Sequence, residues 1–340
     1  RQKMITIKDI AKKAGVSYAT VSRALNDKSD VNPKTKKKII KLAQEMGYRP
    51  NVIAQNLVKQ RSNNIALIVP DVSNPFFADI ARSITEAANE SEYVVTINNT
   101  GWDPKQEHYI LDHMQSQQVA GIIIKPTVFY EPGTFDSVRV PLVVFWHPNK
   151  DKTDFIEMDH SIGAELATNH LIERGYKNIA YIGGAGTSPA NQLRLMAYQK
   201  ALQEHEMEVR QDWISYGGFN LKSGYNRIKS LLENDKVKPD AVFCGNDYLA
   251  LGVLQYLHEK NISVPEEFGV MGYDDIYFSS LPMINLSTIA QPRDKMGKKA
   301  VDLILDQIEF QEKRNLENNN NYRSPSRILL KPELKIRGTT

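Results

Sequence analysis

Ile7-Lys-Asp-Ile-Ala-Lys-Lys-Ala-Gly-Val-Ser-Tyr-Ala-Thr-Val-Ser-Arg-Ala-Leu-Asn26 reads as two short helices joined by a turn. Thr6 is the expected N-cap of the first, with Asp9 favourable in its opening turn. Ile7, Ile10, Ala11 and Ala14 recur at helical spacing, and Gly15 suits the left-handed residue that ends a helix. Ser17 is positioned to cap a second helix, Tyr18 to Leu25, in which Val21 and Leu25 share a face. Asn32-Pro33 opens a third, as N-cap followed by proline in the first turn. Its Ile39, Ile40, Leu42, Ala43 and Met46 are expected to close a small core. The unit is a helix-turn-helix within a three-helix domain spanning 1–50.

Charge points to the partner of this head. Residues 1–61 carry 15 Lys/Arg against 4 Asp/Glu, whereas the remainder carries 28 against 36. A head of +11 on a body of −8 predicts a polyanion at the head only. In a helix-turn-helix the second helix enters the major groove by its N-terminal residues. Those are Tyr18, Ala19, Thr20, Ser22 and Arg23. The guanidinium of Arg23 matches the two acceptors of guanine, and the hydroxyls of Thr20 and Ser22 suit phosphates. Capping alone is the competing role for Ser17, Thr20 and Ser22, and packing beside the turn for Tyr18.

The segment 7–26, together with Gly47-Tyr-Arg-Pro-Asn-Val-Ile-Ala-Gln-Asn-Leu57, resembles the signature of the lactose repressor/galactose repressor family, and the resemblance continues to the end of the chain. Thr6, Ser17 and Asn26 join the DNA-binding set by that resemblance. It also implies a hinge over 51–61: a helix, Asn51 to Lys59, that folds on DNA as a pair and enters the minor groove. Leu57 would be the wedge opening a base step, with Asn51, Ala54 and Asn56 beside it.

From Ile65 the pattern changes. Apolar runs at Ile65–Val69, Tyr93–Ile97, Gly121–Ile124, Leu142–Phe145, Ile179–Ile182, Ala241–Cys244 and Phe268–Met271 alternate with helical patterns. Unbroken apolar runs predict strands buried on both faces, hence parallel sheets covered by helices. The fold expected is α/β, with two doubly wound lobes over 62–340. Polar clusters fall where strands end: Asp71 to Phe77, Trp146-His147-Pro148, Gly183 to Ser188, Asn246-Asp247 and Gly272 to Asp275. Ligands bind at such ends, between lobes.

The body resembles the periplasmic-binding-protein-like sensor of the same family. The resemblance implies three chain crossings, a first lobe of about 62–160 and 290–325, and a second of about 161–289 and 326–340. It implies effector contacts at Arg194, Phe219, Asn246, Asp274 and Gln291, and at Asn74, Phe76 and Phe77 of the first lobe. One of the two phenylalanines is expected to be core. Where many relatives carry an Asp-Arg pair, this chain has Trp146-His147. A large ring there disfavours a ribose-like effector and favours a ligand with a stackable face; His147 and Lys125 leave an acidic sugar open.

The expected function is a dimeric transcriptional repressor of a carbohydrate operon. Its partners are a near-palindromic double-stranded DNA operator, a sugar or sugar derivative and a second copy of the chain. A regulator answering to a phosphorylated carrier protein, or to a nucleobase or nucleoside, is the alternative. No catalytic residue, metal or cofactor is expected. Gly183-Gly-Ala-Gly186 lacks the spacing of a dinucleotide loop, no nucleophile elbow or P-loop occurs, and Cys244 is the lone cysteine, inside a strand run. Without an apolar targeting run or spanning stretch, a cytoplasmic, nucleoid-associated protein is expected. Gln311 to Arg327, polar and asparagine-rich, is expected to be an exposed loop or hairpin.

Overall fold

A computed structural model describes residues 5–25, 31–48, 62–128, 133–145, 153–234, 237–317 and 323–340. Contacts divide the chain into two units, Arg1–Ser62 and Asn63–Thr340.

The first unit holds α1 (Ile7–Ala14), α2 (Tyr18–Leu25) and α3 (Pro33–Glu45). Each begins where a side chain satisfies free amides. Thr6 and Asp9 form a reciprocal capping box, and Gly15 closes α1 at φ 72°. Ser17 Oγ accepts from the amide of Thr20 at 3.1 Å. Asn32 accepts from the amide of Lys34, with Pro33 in the first turn of α3. Ile10, Ala11, Ala14, Val21, Ala24, Val31, Ile39 and Ala43 form the core. Ile40, expected in that core, is exposed. It precedes Lys41 on the outer side of α3, where Ile39 and Ala43 already fill the inner stripe.

The second unit contains two parallel sheets. The first has the order β11-β5-β4-β3-β1-β2. Its strands are β1 (Asn64–Val69), β2 (Val94–Asn99), β3 (Gly121–Ile124), β4 (Leu142–Phe145), β5 (Asp154–Met158) and β11 (Arg327–Leu330). The unbroken apolar run of β1 has a simple cause. Ile65, Leu67 and Val69 pack with α4 (Pro75–Glu90) and α10 (Arg293–Glu317). Ala66 and Ile68 pack on the other face with α5 (Pro104–Ser116). β2 departs from the expectation of burial on both faces: it is an edge strand with Val94 and Ile97 exposed.

The second sheet has the order β7-β6-β8-β9, from β6 (Ile179–Ile182), β7 (Ile214–Ser215), β8 (Ala241–Cys244) and β9 (Gly269–Met271). Alternation again serves two faces. Val242 and Cys244 pack with α8 (Leu221–Asn234) and α9 (Asp247–Glu259). Ala241 and Phe243 pack with α6 (His160–Glu173) and α7 (Pro189–Glu204). β10 (Thr288–Ala290) pairs antiparallel with β12 (Glu333–Lys335).

The chain passes between the sheets after β5, after β10 and after β11. The assignment of 326–340 to the second lobe needs correction. Arg327–Leu330 pairs parallel with β5 in the first sheet, so the last crossing follows Leu330. The buried Asp154 carboxylate anchors this return, accepting from Ser326 N (2.6 Å), Arg323 Nη1 (2.8 Å) and Gln307 Nε2 (2.9 Å). The expected loop from Gln311 is also corrected: α10 continues to Glu317.

Candidate functional site

On the first unit, Tyr18, Ala19, Ser22 and Arg23 stand at i, i+1, i+4 and i+5 of α2 and share one face. Tyr18 is 54 % exposed, which removes packing beside the turn as its role. Ala19 and Arg23 are exposed and Ser22 half-buried, while Val21 and Ala24 face the core. Thr6 and Ser17 cap their helices, and the Ser17 and Thr20 hydroxyls lie 2.9 Å apart. Asn26, Asn51, Ala54, Asn56 and Leu57 lie outside the described residues.

Within the second unit, one pocket opens between the two sheets at the carboxyl ends of their strands. Asn74, Phe76, Phe77, Arg194, Phe219, Asn246, Asp274 and Gln291 all line it. Trp146 lies outside the described residues. Both phenylalanines are buried, and both face the pocket as well as the core, so neither is core alone. Asn74 Oδ1 caps α4 through the Phe76 amide (3.0 Å), and Asn246 Oδ1 caps α9 through Leu249 (2.9 Å). Capping uses the carbonyl oxygen of each amide and leaves its NH2 as the donor end.

Arg194 sits at the centre and is 5 % exposed. Its Nη1 donates to the Gly245 carbonyl and its Nη2 to His160 Nδ1 at 3.3 Å. An arginine only donates, so His160 accepts at Nδ1 and carries its proton on Nε2. Burial, reinforced by Arg194 and Lys125, holds His160 well below the usual imidazole range, which keeps the ring neutral. Arg194 Nη2 stands 3.9 Å from Asp274 Oδ1, a loose pair, and Arg194 Nε is buried without a partner. Asp274 Oδ1 accepts instead from Gln291 Nε2 at 2.6 Å. Burial raises Asp274 to about 6, with Arg194 pulling the other way. Loss of water lowers Lys125 to about 8 against the opposing charge of the buried Glu107.

Asp247 stands behind this layer. It accepts from Ile276 N (2.9 Å), Ser279 Oγ (2.7 Å) and Thr288 Oγ1 (2.6 Å), and burial raises it to about 7. It is a buried brace. Asp275 likewise pairs with Arg337 at 2.7 Å. The glycines after β6 have a packing role. A Cβ on Gly184 would come within 2.0 Å of the Phe219 ring, so that ring rests on bare backbone.

Sequence reasoning missed Trp102, His160 and Tyr273. Trp102 and His160 line the pocket, and Tyr273 lies under Arg194. Trp102 and His160 follow strand ends, a signal that picks them out. Tyr273 reads as core and is core.

Two family models match the chain. Residues 6–51 match bacterial regulatory proteins of the lacI family, and residues 168–340 match a periplasmic binding protein-like domain. Catabolite control protein A of Priestia megaterium is 33 % identical over 304 residues, 88 % of this chain and 91 % of that protein. The chain belongs to the lacI family. The HTH-type transcriptional repressor PurR of Haemophilus influenzae is 34 % identical over 340 residues, 98 % of each. Among solved structures, the lac repressor dimer bound to operator and the anti-inducer ONPF superposes with a TM-score of 0.85. It is 26 % identical and covers 99 % of both chains. The complex of the regulator CelR with cellobiose gives 0.71, at 26 % identity, over 99 % and 100 %. The protein is a DNA-binding transcriptional repressor of this family, a family of regulators and not of enzymes. No described helix is long and apolar enough to cross a membrane.

Proposed function

We propose that the protein is a cytoplasmic, homodimeric repressor whose operator affinity is set by a small polar ring compound, a sugar or sugar derivative, bound between the lobes. The observation that supports this best is Arg194. Arg194 is a buried guanidinium that lines a pocket walled by aromatic rings, with the Asp274 carboxylate 3.9 Å from its Nη2. Its fork of donors suits ligand oxygens such as hydroxyls or a carboxylate. A hydroxylated ring offers acceptors to Arg194, donors to Asp274 and apolar C–H faces to Phe76, Phe77 and Phe219.

At the head, Arg23 and Tyr18 read base edges, Ala19 lies against them, and Thr6, Ser17, Thr20, Ser22 and Asn26 hold phosphates. Asn51, Ala54, Asn56 and Leu57 serve the hinge, with Leu57 as the wedge. By the family resemblance Trp146 is a further candidate effector contact. Two heads on a dimer read the two halves of a near-palindromic site; the lac repressor neighbour is itself a dimer bound to operator. A thermal-shift screen of sugars, sugar acids and nucleosides tests the reading, because a true ligand stabilises by mass action. Stabilisation that persists in Arg194→Ala would place the ligand elsewhere.

A further inference from the structure

The lobes meet at the pocket through two rings. Trp102 belongs to the first lobe, in the turn after β2, and Phe219 to the second, in the loop after β7. Their centroids are 5.2 Å apart and their planes 24° from parallel, a stacked pair. Both rings are fixed from behind. Phe219 rests on Gly184, where no Cβ fits, and the edge of Phe77 meets Trp102 at 6.2 Å. Gly101 and Trp102 take φ values of 64° and 63°, left-handed for both. For a tryptophan that conformation is strained, so its surroundings hold it there.

Among the described residues no strand is shared between the two sheets, and besides the rings the lobes are tied by Ile276, Tyr248 and Leu251 packing on the first lobe's core and by polar contacts. Tyr248 donates to the Ser73 carbonyl at 3.1 Å. Arg293 reaches both Asp79, at 3.3 Å, and the Asp274 carbonyl, at 2.5 Å. Stacked rings on opposite lobes stay in contact only while the lobes are closed. Both rings also line the pocket, so together they form a wall of it. The cavity inside is about 60 Å³. No ligand ring fits between centroids at this spacing.

We propose that the Trp102–Phe219 stack is the clasp that seals the cleft over its effector, and that it restricts the effector to a single-ring polyol. The proposal rests on the reading of the cleft as the effector site. A two-ring sugar has to part the rings and forfeits their contact. Such a contact corresponds to about a two- to tenfold change in affinity. Trp102 thereby selects ligand size and slows ligand escape.

The test uses the full chain and D-ribose, D-glucose, D-galactose, D-glucuronate and cellobiose. A compound that stabilises wild type but not Arg194→Ala binds in the cleft, which settles the underlying reading separately. Its affinity and dissociation rate are then measured for Trp102→Ala, Trp102→Leu, Trp102→Phe, Phe219→Ala and the Trp102→Ala/Phe219→Ala pair. Operator binding serves as the folding control, and Trp102→Leu keeps apolar bulk if Trp102→Ala does not fold. The clasp predicts a single-ring compound as the tightest ligand. It predicts about a three- to tenfold loss for Trp102→Ala and Trp102→Leu through faster dissociation, and less than about twofold for Trp102→Phe. In the Phe219→Ala background, Trp102→Ala should cost less than it does in wild type. Tighter binding of cellobiose than of any single-ring compound overturns the proposal. So does a Trp102→Ala loss that is absent, or undiminished without Phe219.

Discussion

Arg194 lies flat against Tyr273, its guanidinium carbon 3.6 Å from the ring centroid. The contact holds the fork in the cleft. Tyr273 is fully buried and follows β9, so the second lobe's core positions the residue expected to recognise the ligand. Arg194→Ala is expected to weaken effector binding by about 2 kcal/mol or more, roughly thirtyfold, as a charged hydrogen-bond donor is lost. Titration calorimetry with the compound found in the screen checks this. Affinity within twofold of wild type would remove Arg194 from the site.

Asp274 gives a pH signature. Its carboxyl is raised to about 6 by burial, against about 4 in an unfolded chain. The penalty falls on the ionised form, so its stabilising contribution is full below pH 4 and is lost as pH rises through 6. Asp274→Asn has no such dependence. The stability of the variant relative to wild type should therefore improve between pH 4 and pH 7, by on the order of 2 kcal/mol. Denaturant unfolding across that range measures it, and a constant difference contradicts the burial argument.

Gly184 and Gly186 should separate cleanly. A Cβ at 184 meets the Phe219 ring, whereas one at 186 comes no closer than 3.8 Å, to Tyr216. Gly184→Ala should displace Phe219 and lower effector affinity about tenfold, leaving operator binding intact. Gly186→Ala should change neither. Equal effects of the two substitutions would mean that the ring's seat on the backbone does not matter.

At the head, Arg23→Ala is expected to cost about 1–3 kcal/mol of operator affinity and to relax preference at one base pair. Leu57→Ala should lose affinity for the operator while sparing effector binding. Binding assays on single-base operator variants distinguish the roles. A loss for Arg23→Ala that is uniform across all variants assigns it to a phosphate.

What could be read from the sequence was what is decided locally. Thr6, Ser17 and Asn32 start helices by bonding amides two or three residues away, so their positions are visible in a short window. The runs at β1 and β8 betray strands buried on both faces for the same reason. The return of β11 was not visible, because its place depends on Asp154, 172 residues before Ser326. Its side chains alternate between half-buried and exposed and fit either lobe's edge equally well. The candidate pocket shows the same division. Eight expected residues fall around it because strand ends converge there. Trp102 also follows a strand end, but its stacking on Phe219 of the other lobe is not visible in a local window.

Occupancy of the cleft between the lobes is expected to change the affinity of the head for DNA. Linkage makes that coupling measurable from either side. The most direct measurement is operator affinity of the full chain with and without the screened compound, for wild type and Arg194→Ala in parallel. The account predicts a shift of at least about fivefold in wild type and none in Arg194→Ala, with equal operator affinity of both proteins in the compound's absence. An equal shift in both proteins, or a compound that binds the wild-type cleft and leaves operator affinity unchanged, would contradict it.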